Sequence, residues 1–374
     1  MKILFVSKLE GELFKGPSNS VPAQVKAQSK FDDVFWLNMT DVWLEIWTAD
    51  SFKFAYGAKY SKAGLAEVEK LFARPDLIIF EGFYEYPFSK LADDAVKEKI
   101  PYILIPRSQL TVKAQKQKAL KKFLGNMVYF NKFASNAAAI QYLTEQERAE
   151  SAKWDYENFV IPNGMTAREH FKRKWNGDAL KAVYIGRINI YQKGLDLLIK
   201  ACASIKSNLL AKNFRLNIHG VTTGAAAQDA QEISNMLGEY QLGDMIKICP
   251  PVFAEEKSNV LKNADMFIMT SRFEGMPMAL LEALSYSLPC FVTTGTNMAE
   301  EIQAGRAGNI AQIDEKNIAH ELLSMVENFP ATYELMGKNA NVLSQKYSWD
   351  AIAKKSHVVY ESVTKSGSGR ISSK

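Results

Sequence analysis

The chain has 374 residues, more than one hydrophobic core usually supports, so two domains are expected. Hydrophobic residues make up 47% and charged residues 23%, an ordinary soluble balance, and the net charge of +5 is mild. Three widely spaced cysteines (Cys202, Cys249, Cys290) and four scattered histidines exclude a disulfide framework and a zinc spacing and fit a reducing cytoplasm.

The N-terminal run Met-Lys-Ile-Leu-Phe-Val-Ser is too short for a signal peptide and reads as a first buried strand. No stretch of about 18 uncharged apolar residues occurs, so no membrane-spanning helix is expected. Apolar runs rich in Val, Ile and Phe predict strands at Ile3–Ser7, Val34–Met39, Leu77–Phe80, Tyr102–Pro106, Ala138–Leu143 and Phe159–Pro162. A second series falls at Ala182–Ile188, Leu216–His219, Ile246–Cys249, Met266–Thr270, Cys290–Thr293 and Gly308–Ile313. Strands this apolar are buried on both faces, which predicts parallel sheets covered by helices. The polar stretch 166–178 separates the two series. The expected architecture is therefore α/β, with two Rossmann-like domains, 1–165 and 178–349, facing across a cleft that holds the chemistry. The last ten residues, 365–374, are small and polar and predict a disordered tail.

Between Lys99 and Thr144 there is no Asp or Glu, while Arg107, Lys113, Lys116, Lys118, Lys121, Lys122 and Lys132 all lie there. Residues 111–123 predict one helix with a basic face. Its plain reading is a solvated helix. The functional reading is attraction to an anionic membrane surface or to a pyrophosphate-linked acceptor. Nucleic acid is not expected, because no aromatic residues are interleaved with Lys113–Lys122.

Val183-Tyr-Ile-Gly-Arg187 ends a strand, and Gln192-Lys-Gly-Leu-Asp-Leu-Leu-Ile199 reads as the opening of a helix. Arg187, Lys193 and a helix N-terminus suit a departing diphosphate, and Gly186 and Gly194 allow close backbone approach. Taken alone, a cation at a strand end is more often simply solvated.

The segment Ser271-Arg-Phe-Glu-Gly-Met-Pro-Met-Ala-Leu-Leu-Glu-Ala-Leu-Ser-Tyr286 follows a strand. Gly275 permits a turn, Pro277 suits the first turn of a helix, and the helix that follows is apolar enough to be buried. Glu282 has no basic neighbour on that helix. A buried carboxylate needs a partner, and a ribose diol supplies two donors. Glu274, just before the helix, is placed to grip sugar hydroxyls. The alternative is a loop acid at 274 and a distant Arg partner for Glu282.

Glu274-Gly-Met-Pro-x-Ala-Leu-Leu-Glu282-Ala, preceded by Gly186-Arg187-x5-Lys193-Gly194, resembles the signature of the retaining family-4 glycosyltransferases, which adopt the GT-B fold. Tyr142-Leu-Thr-Glu, Ile161-Pro-Asn-Gly, Leu216-Asn-Ile-His-Gly220 and Tyr347-Ser-Trp-Asp350 are similar to further family marks, so the resemblance covers nearly the whole chain. It implies that Arg187 and Lys193 stabilise the leaving diphosphate and that Glu274 contacts donor-sugar hydroxyls. Gly275, Met276, Pro277 and Met278 would line sugar and phosphate, with amides donated at the non-proline positions, and Glu282 would hold the ribose. Gly186, Gly220 and Phe253 would border the nucleotide, with base contacts around Cys249–Phe253. A helix over about 350–364 would cross back onto the first domain.

Two departures stand out. Where relatives carry Gly-Gly after the first strand, this chain has Gly16-Pro17, so no amide contact is available at position 17 and Gly16 or Ser18 must serve the diphosphate; the alternative is an ordinary connection. The family's first-domain histidine is absent from residues 1–169, and Ile105-Pro-Arg-Ser stands at the matching region, making Arg107 and Ser108 the acceptor-side candidates. The implied activity is transfer of a hexose-type sugar from a UDP- or GDP-sugar to a glycan or lipid-linked acceptor in cell-surface polysaccharide synthesis. No Asp-x-Asp occurs, so no metal cofactor is expected. A silent nucleotide-sugar-binding subunit and an epimerase or phosphorylase of the same fold are the alternatives. The expected location is cytoplasmic, peripheral on the inner face of the plasma membrane.

Overall fold

The computed structural model describes residues 1–12, 16–62, 64–116, 119–169, 177–274 and 276–370. The chain divides into two compact units, Met1–Gly164 with Trp349–Lys374, and Met165–Ser348. Most of the stretch read as a linker, 170–176, lies outside the described residues.

The first unit is built on β1 (Lys2–Ser7), β2 (Asp33–Asn38), β3 (Lys53–Tyr56), β4 (Leu77–Glu81), β5 (Tyr102–Ile105), β6 (Ala139–Tyr142) and β7 (Asn158–Val160). They form one sheet in the order β3-β2-β1-β4-β5-β6-β7, and all pairings are parallel. Successive residues feed opposite faces. Leu4 and Val6 of β1 join one core with Leu37, Phe80 and Leu104, while Ile3 and Phe5 join another with Trp36, Ile79 and Ile103. Burial on both faces is why these strands lack polar alternation. The sequence reading missed β3. That strand sits at the sheet edge with three of its four residues exposed, so it carries no apolar run to detect.

The second unit contains β8 (Lys181–Ile185), β9 (Arg215–His219), β10 (Ile246–Cys249), β11 (Met266–Met269), β12 (Cys290–Thr293) and β13 (Gly308–Ala311). Their order is β10-β9-β8-β11-β12-β13, again all parallel. One core gathers Ala182, Tyr184, Leu216 and Ile268; the other gathers Val183, Ile185, Phe267 and Leu281. Both sheets thus have the doubly wound order in which strand direction of travel reverses once, between β1 and β4 and between β8 and β11.

The C-terminal helix spans Trp349–Arg370 in the first unit, with Tyr360 fully buried against the core of β1 and Val363 packed beside it. The tail expected to be disordered from 365 is therefore helical as far as Arg370. Once the earlier turns are docked, each added residue gains a backbone hydrogen bond without a new nucleation cost.

Candidate active site

In a doubly wound sheet, ligands bind beyond the strand carboxyl ends where the order reverses. In the second unit that point lies between β8 and β11, and the two motifs follow those two strands. The end of β8 lies close against β9: Gly186 N–H donates to the His219 carbonyl at 3.0 Å. A Cβ on Gly220 would stand 2.4 Å from the Gly186 carbonyl oxygen, and one on Gly186 would stand 2.7 Å from the Tyr184 hydroxyl. Gly220 is required by this approach, while a side chain at Gly186 would displace the Tyr184 hydroxyl. Tyr184 donates to the Arg187 carbonyl at 2.9 Å. The Arg187 side chain is exposed and forms no ion pair with any described residue.

Beyond Arg187, the Asn189 side chain caps a single helical turn, Ile190–Lys193, by accepting from Gln192 N–H at 2.7 Å. Gly194 ends that turn at φ 62°, and a new helix runs Leu195–Ser204. Lys193 therefore closes a short turn, and the helix expected to open at Gln192 begins at Leu195. The break is enforced from outside, because a Cβ at Gly194 would stand 2.0 Å from the Thr270 carbonyl oxygen.

That contact belongs to a set that fastens the two strand-end loops together. Thr270 Oγ1 donates to the carbonyls of Lys193 (3.3 Å) and Gly194 (3.1 Å), and Arg272 N–H donates to the Gln192 carbonyl at 2.9 Å. The Arg272 guanidinium donates two bonds to the Asp196 carboxylate, at 2.7 and 2.6 Å, and a third to the Tyr191 carbonyl at 2.7 Å. It also lies 4.7 Å over the Tyr191 ring. On this frame the buried Lys193 Nζ donates to Glu274 Oε1 at 2.5 Å, and Ser271 Oγ donates to the same oxygen at 2.5 Å. Ser271 is itself held by Thr293, whose hydroxyl donates to its carbonyl at 2.6 Å. Sequence reasoning found Lys193 and Glu274 but not Arg272, Asp196 and Thr270. No local spacing rule links residues from two loops.

Gly275 lies outside the described residues. Met276 packs against the core, and its carbonyl accepts from Met278 N–H at 2.9 Å, so the Met278 amide is already engaged within the loop. Pro277 caps the helix Met278–Ser285 from outside rather than standing in its first turn. Its carbonyl accepts from Leu280 N–H at 3.0 Å and Leu281 N–H at 3.1 Å. The helix buries Leu280, Leu281, Ala283 and Leu284, which turns Glu282 outward. Glu282 is half-exposed and pairs with Lys257 Nζ of the helix Ala254–Asn263 at 2.7 Å. The expectation of a buried, partnerless carboxylate is corrected: its partner comes from another helix, and it is a lysine. Phe253, just before that helix, is 56% exposed. His219 is buried, with Nδ1 3.0 Å from the Pro250 carbonyl, which ties β9 to the Cys249–Phe253 loop.

In the first unit the reversal point holds different chemistry. Arg107 and Ser108 follow β5 with left-handed backbones, φ 49° and 65°. The Arg107 guanidinium is nearly buried. Its Nε donates to Glu81 Oε2 at 2.8 Å, and its terminal nitrogens donate to Ser20 Oγ at 2.9 Å and Gln24 Oε1 at 3.3 Å. Ser108 N–H donates to the Glu147 carboxylate. The Arg107 guanidinium thus braces the end of β4 and the helix Gly16–Gln28 within the unit, while Ser108 is an exposed residue held through its backbone N–H. Burial pushes the Glu81 carboxyl above the usual range, although Arg107 opposes this. Gly16 opens its helix exposed, with open space where a Cβ would stand, and residues 13–15 before it lie outside the described residues.

The basic segment forms helices Val112–Lys116 and Ala119–Gly125, while Gln117 and Lys118 between them, and the side chain of Lys113, lie outside the described residues. Lys122 folds back, donating to the Ala114 carbonyl at 2.5 Å and lying 4.9 Å over the Tyr84 ring. Among the described residues no helix is long and apolar enough to cross a membrane, and no group of three His, Cys, Asp or Glu is gathered as for a metal ion.

The family described as glycosyl transferases group 1 matches residues 165–355, just over half of the chain. The putative colanic acid biosynthesis glycosyltransferase WcaL of Salmonella typhimurium is 29% identical over 150 residues, 38% of this chain and 35% of that protein. A D-inositol 3-phosphate glycosyltransferase of Arthrobacter is 27% identical over 171 residues, 46% of this chain and 40% of that protein. The chain thus spans well under half the length of these two curated relatives. Among solved structures, Anabaena Alr3699/HepE in complex with UDP superimposes with a TM-score of 0.73 at 14% identity, covering 97% of this chain and 100% of that one. Sucrose-phosphate synthase from Thermosynechococcus elongatus gives 0.69 at 16%, covering 98% and 100%. These likenesses show the fold, GT-B with its two Rossmann-like units. Together with the family match across the unit that holds Arg187, Lys193, Glu274 and Glu282, they place the chain in the family of glycosyl transferases group 1.

Proposed function

We propose that this chain is a retaining glycosyltransferase that moves a hexose-type sugar from a UDP- or GDP-sugar to a glycan or lipid-linked acceptor in cell-surface polysaccharide assembly. The observation that carries the reading is the buried Lys193–Glu274 pair at the reversal point of the second sheet. A cation and a carboxylate fixed side by side suit a ligand that carries phosphates at one end and hydroxyls at the other. In the proposed reaction the bond between the sugar anomeric carbon and the diphosphate oxygen breaks, and Arg187 and Lys193 stabilise the charge left on that oxygen. Glu274 accepts from the sugar hydroxyls. The acceptor hydroxyl attacks from the face the diphosphate leaves, and its proton passes to the departing phosphate. Glu282, beside Lys257, holds the ribose, and the Cys249–Phe253 loop borders the base.

The two cations take the place of a bridging metal, so transfer should survive chelation. The charge of the 99–144 segment draws the enzyme to anionic membrane, a peripheral cytoplasmic location. Colanic acid assembly, named for the Salmonella relative, is the kind of surface-polysaccharide process this reading fits.

A panel of nucleotide sugars, scored by thermal shift and then by product analysis with excess chelator, tests the proposal. A rise in Tm with one donor and a product of retained anomeric configuration are expected. Donor binding without transfer would instead indicate a partner subunit, and conversion of the donor without acceptor would indicate an epimerase.

A further inference from the structure

The helix Ala119–Gly125 buries none of its residues. Yet Leu120, Phe123, Leu124, Met127 and Val128 follow in sequence the spacing i, i+3, i+4, i+7, i+8 of an apolar helix face, with Met127 and Val128 in the π-helical turn Asn126–Phe130 that continues the helix. A soluble helix turns such a face to the core. Here all five are more than half exposed, Leu120 at 74% and Val128 at 82%. The core is reached only afterwards, by Phe130, which packs 4.9 Å from the Tyr84 ring and 5.5 Å from the Phe83 ring. A contiguous outward stripe of this kind has a partner elsewhere.

Charge identifies the partner. Lys116 and Lys121 are exposed beside the stripe in sequence, Lys132 is exposed and pairs with Asp93 at 3.5 Å, and the sequence from Lys99 to Thr144 contains no acid. A second copy docked stripe to stripe would bring like charges together. An anionic bilayer meets both halves of the pattern. Tyr86, exposed and 6.2 Å from the Tyr129 ring, adds an aromatic group of the type found at membrane interfaces.

We propose that this stripe inserts into the headgroup–acyl boundary of an anionic membrane, so that the enzyme is held by apolar burial and not by charge alone. This deepens the membrane reading given above, which rests on charge.

The test uses the full chain with vesicles of phosphatidylcholine alone or mixed with phosphatidylglycerol, read by co-sedimentation. The variant is Leu120→Ser/Phe123→Ser/Val128→Ser, and the control is Leu335→Ser, at a residue 58% exposed in the second unit. None of the substituted side chains is buried, and circular dichroism checks the fold. Wild type and control should bind the mixed vesicles and keep part of that binding in about 1 M salt, where the Debye length is about 3 Å. The triple variant should bind on the order of 100-fold more weakly with its charge intact. Unchanged binding by the triple variant, or complete release by salt, overturns insertion and leaves the charge reading standing. No binding to mixed vesicles overturns both. Self-association that the triple variant abolishes, without vesicle binding, assigns the stripe to a second copy and also overturns insertion.

Discussion

Lys193 and Glu274 are 81 positions apart in the chain, and their side chains meet at 2.5 Å. The pair does not hold itself there. Thr270, Arg272 and Gly194 fasten one loop to the other through backbone carbonyls and Asp196, and Ser271 adds a second donor to the same carboxylate oxygen. The two loops are thus fastened by the chain's own hydrogen bonds, which limits the ordering that donor binding must supply.

Lys193→Ala leaves the Glu274 carboxylate buried with only Ser271. It should cost about 3 kcal/mol of stability, as when one partner of a buried pair is removed. Turnover should fall further, by about 100- to 1,000-fold, the loss typical of one group that stabilises developing charge. Adding Glu274→Gln should restore most of the stability but none of the turnover. Urea denaturation and initial rates on the four proteins of the cycle measure both; an active Lys193→Ala enzyme would remove the assignment.

Gly194→Ala tests the frame instead of the chemistry. The left-handed backbone alone costs about 1–2 kcal/mol, and the methyl would meet the Thr270 carbonyl oxygen at 2.0 Å. The variant should lose at least about 2 kcal/mol in urea denaturation and weaken donor binding together with it. Wild-type stability with weakened binding would mean the two loops are joined some other way.

How much of this was legible beforehand depends on where the information resides. Buried parallel strands announce themselves, because both faces must be apolar: β1, β4, β5 and β11 could be read directly. Edge strand β3 could not, since half of its environment is solvent. At the site, residue types and motif order pointed to Lys193 and Glu274. Their partners could not be read, because Asp196 meets Arg272 and Lys257 meets Glu282 only through the packing of distant segments. The partner of Arg107 was hidden for a related reason. An arginine at a strand end looks available until the glutamate at the end of the neighbouring strand claims it. The apolar spacing at 120–128 is present in the sequence, but spacing alone does not say that the face turns outward.

For Glu282 the exposed pairing with Lys257 separates function from stability. Half-exposed ion pairs contribute at most about 1 kcal/mol, so Glu282→Gln and Lys257→Ala should each leave the urea midpoint nearly unchanged. If Glu282 holds the ribose, its variant alone should raise the donor KM by about tenfold or more, through one lost charge-assisted contact. Equal KM effects from both variants would assign the role to the pair as a local brace.

The Glu81–Arg107 pair makes a pH prediction. Burial raises the folded-state pKa of Glu81 above its ordinary 4.5, while Arg107 lowers it. A carboxyl that is raised on folding contributes stability below its unfolded pKa and loses it as pH rises through the folded value. Arg107→Met removes the opposing influence, so the folded pKa rises further. Stability of that variant should then fall more steeply than wild type between about pH 5 and pH 8. Glu81→Gln/Arg107→Met should flatten the profile again. Parallel pH–stability curves for wild type and Arg107→Met would show that the carboxyl is not governed by its arginine.

Thiol labelling reports on the nucleotide end of the site. Burial pushes the Cys202 thiol up to about 12 and raises buried Cys290 as well. Cys249, half-buried at the end of β10, is also raised by burial, with Lys247 opposing. Since the thiolate is the reacting form, a thiol near 12 is only about one part in 10,000 ionised at pH 8. A disulfide reagent should therefore modify about one thiol per folded chain, at Cys249, and all three after denaturation. That cysteine begins the loop proposed to border the base, so UDP or GDP should slow its labelling by about tenfold when the site is filled, and the nucleotide that protects at the lower concentration identifies the donor class. Protection by neither would move the base away from Cys249–Phe253, while leaving the Lys193–Glu274 assignment to be judged by its own cycle.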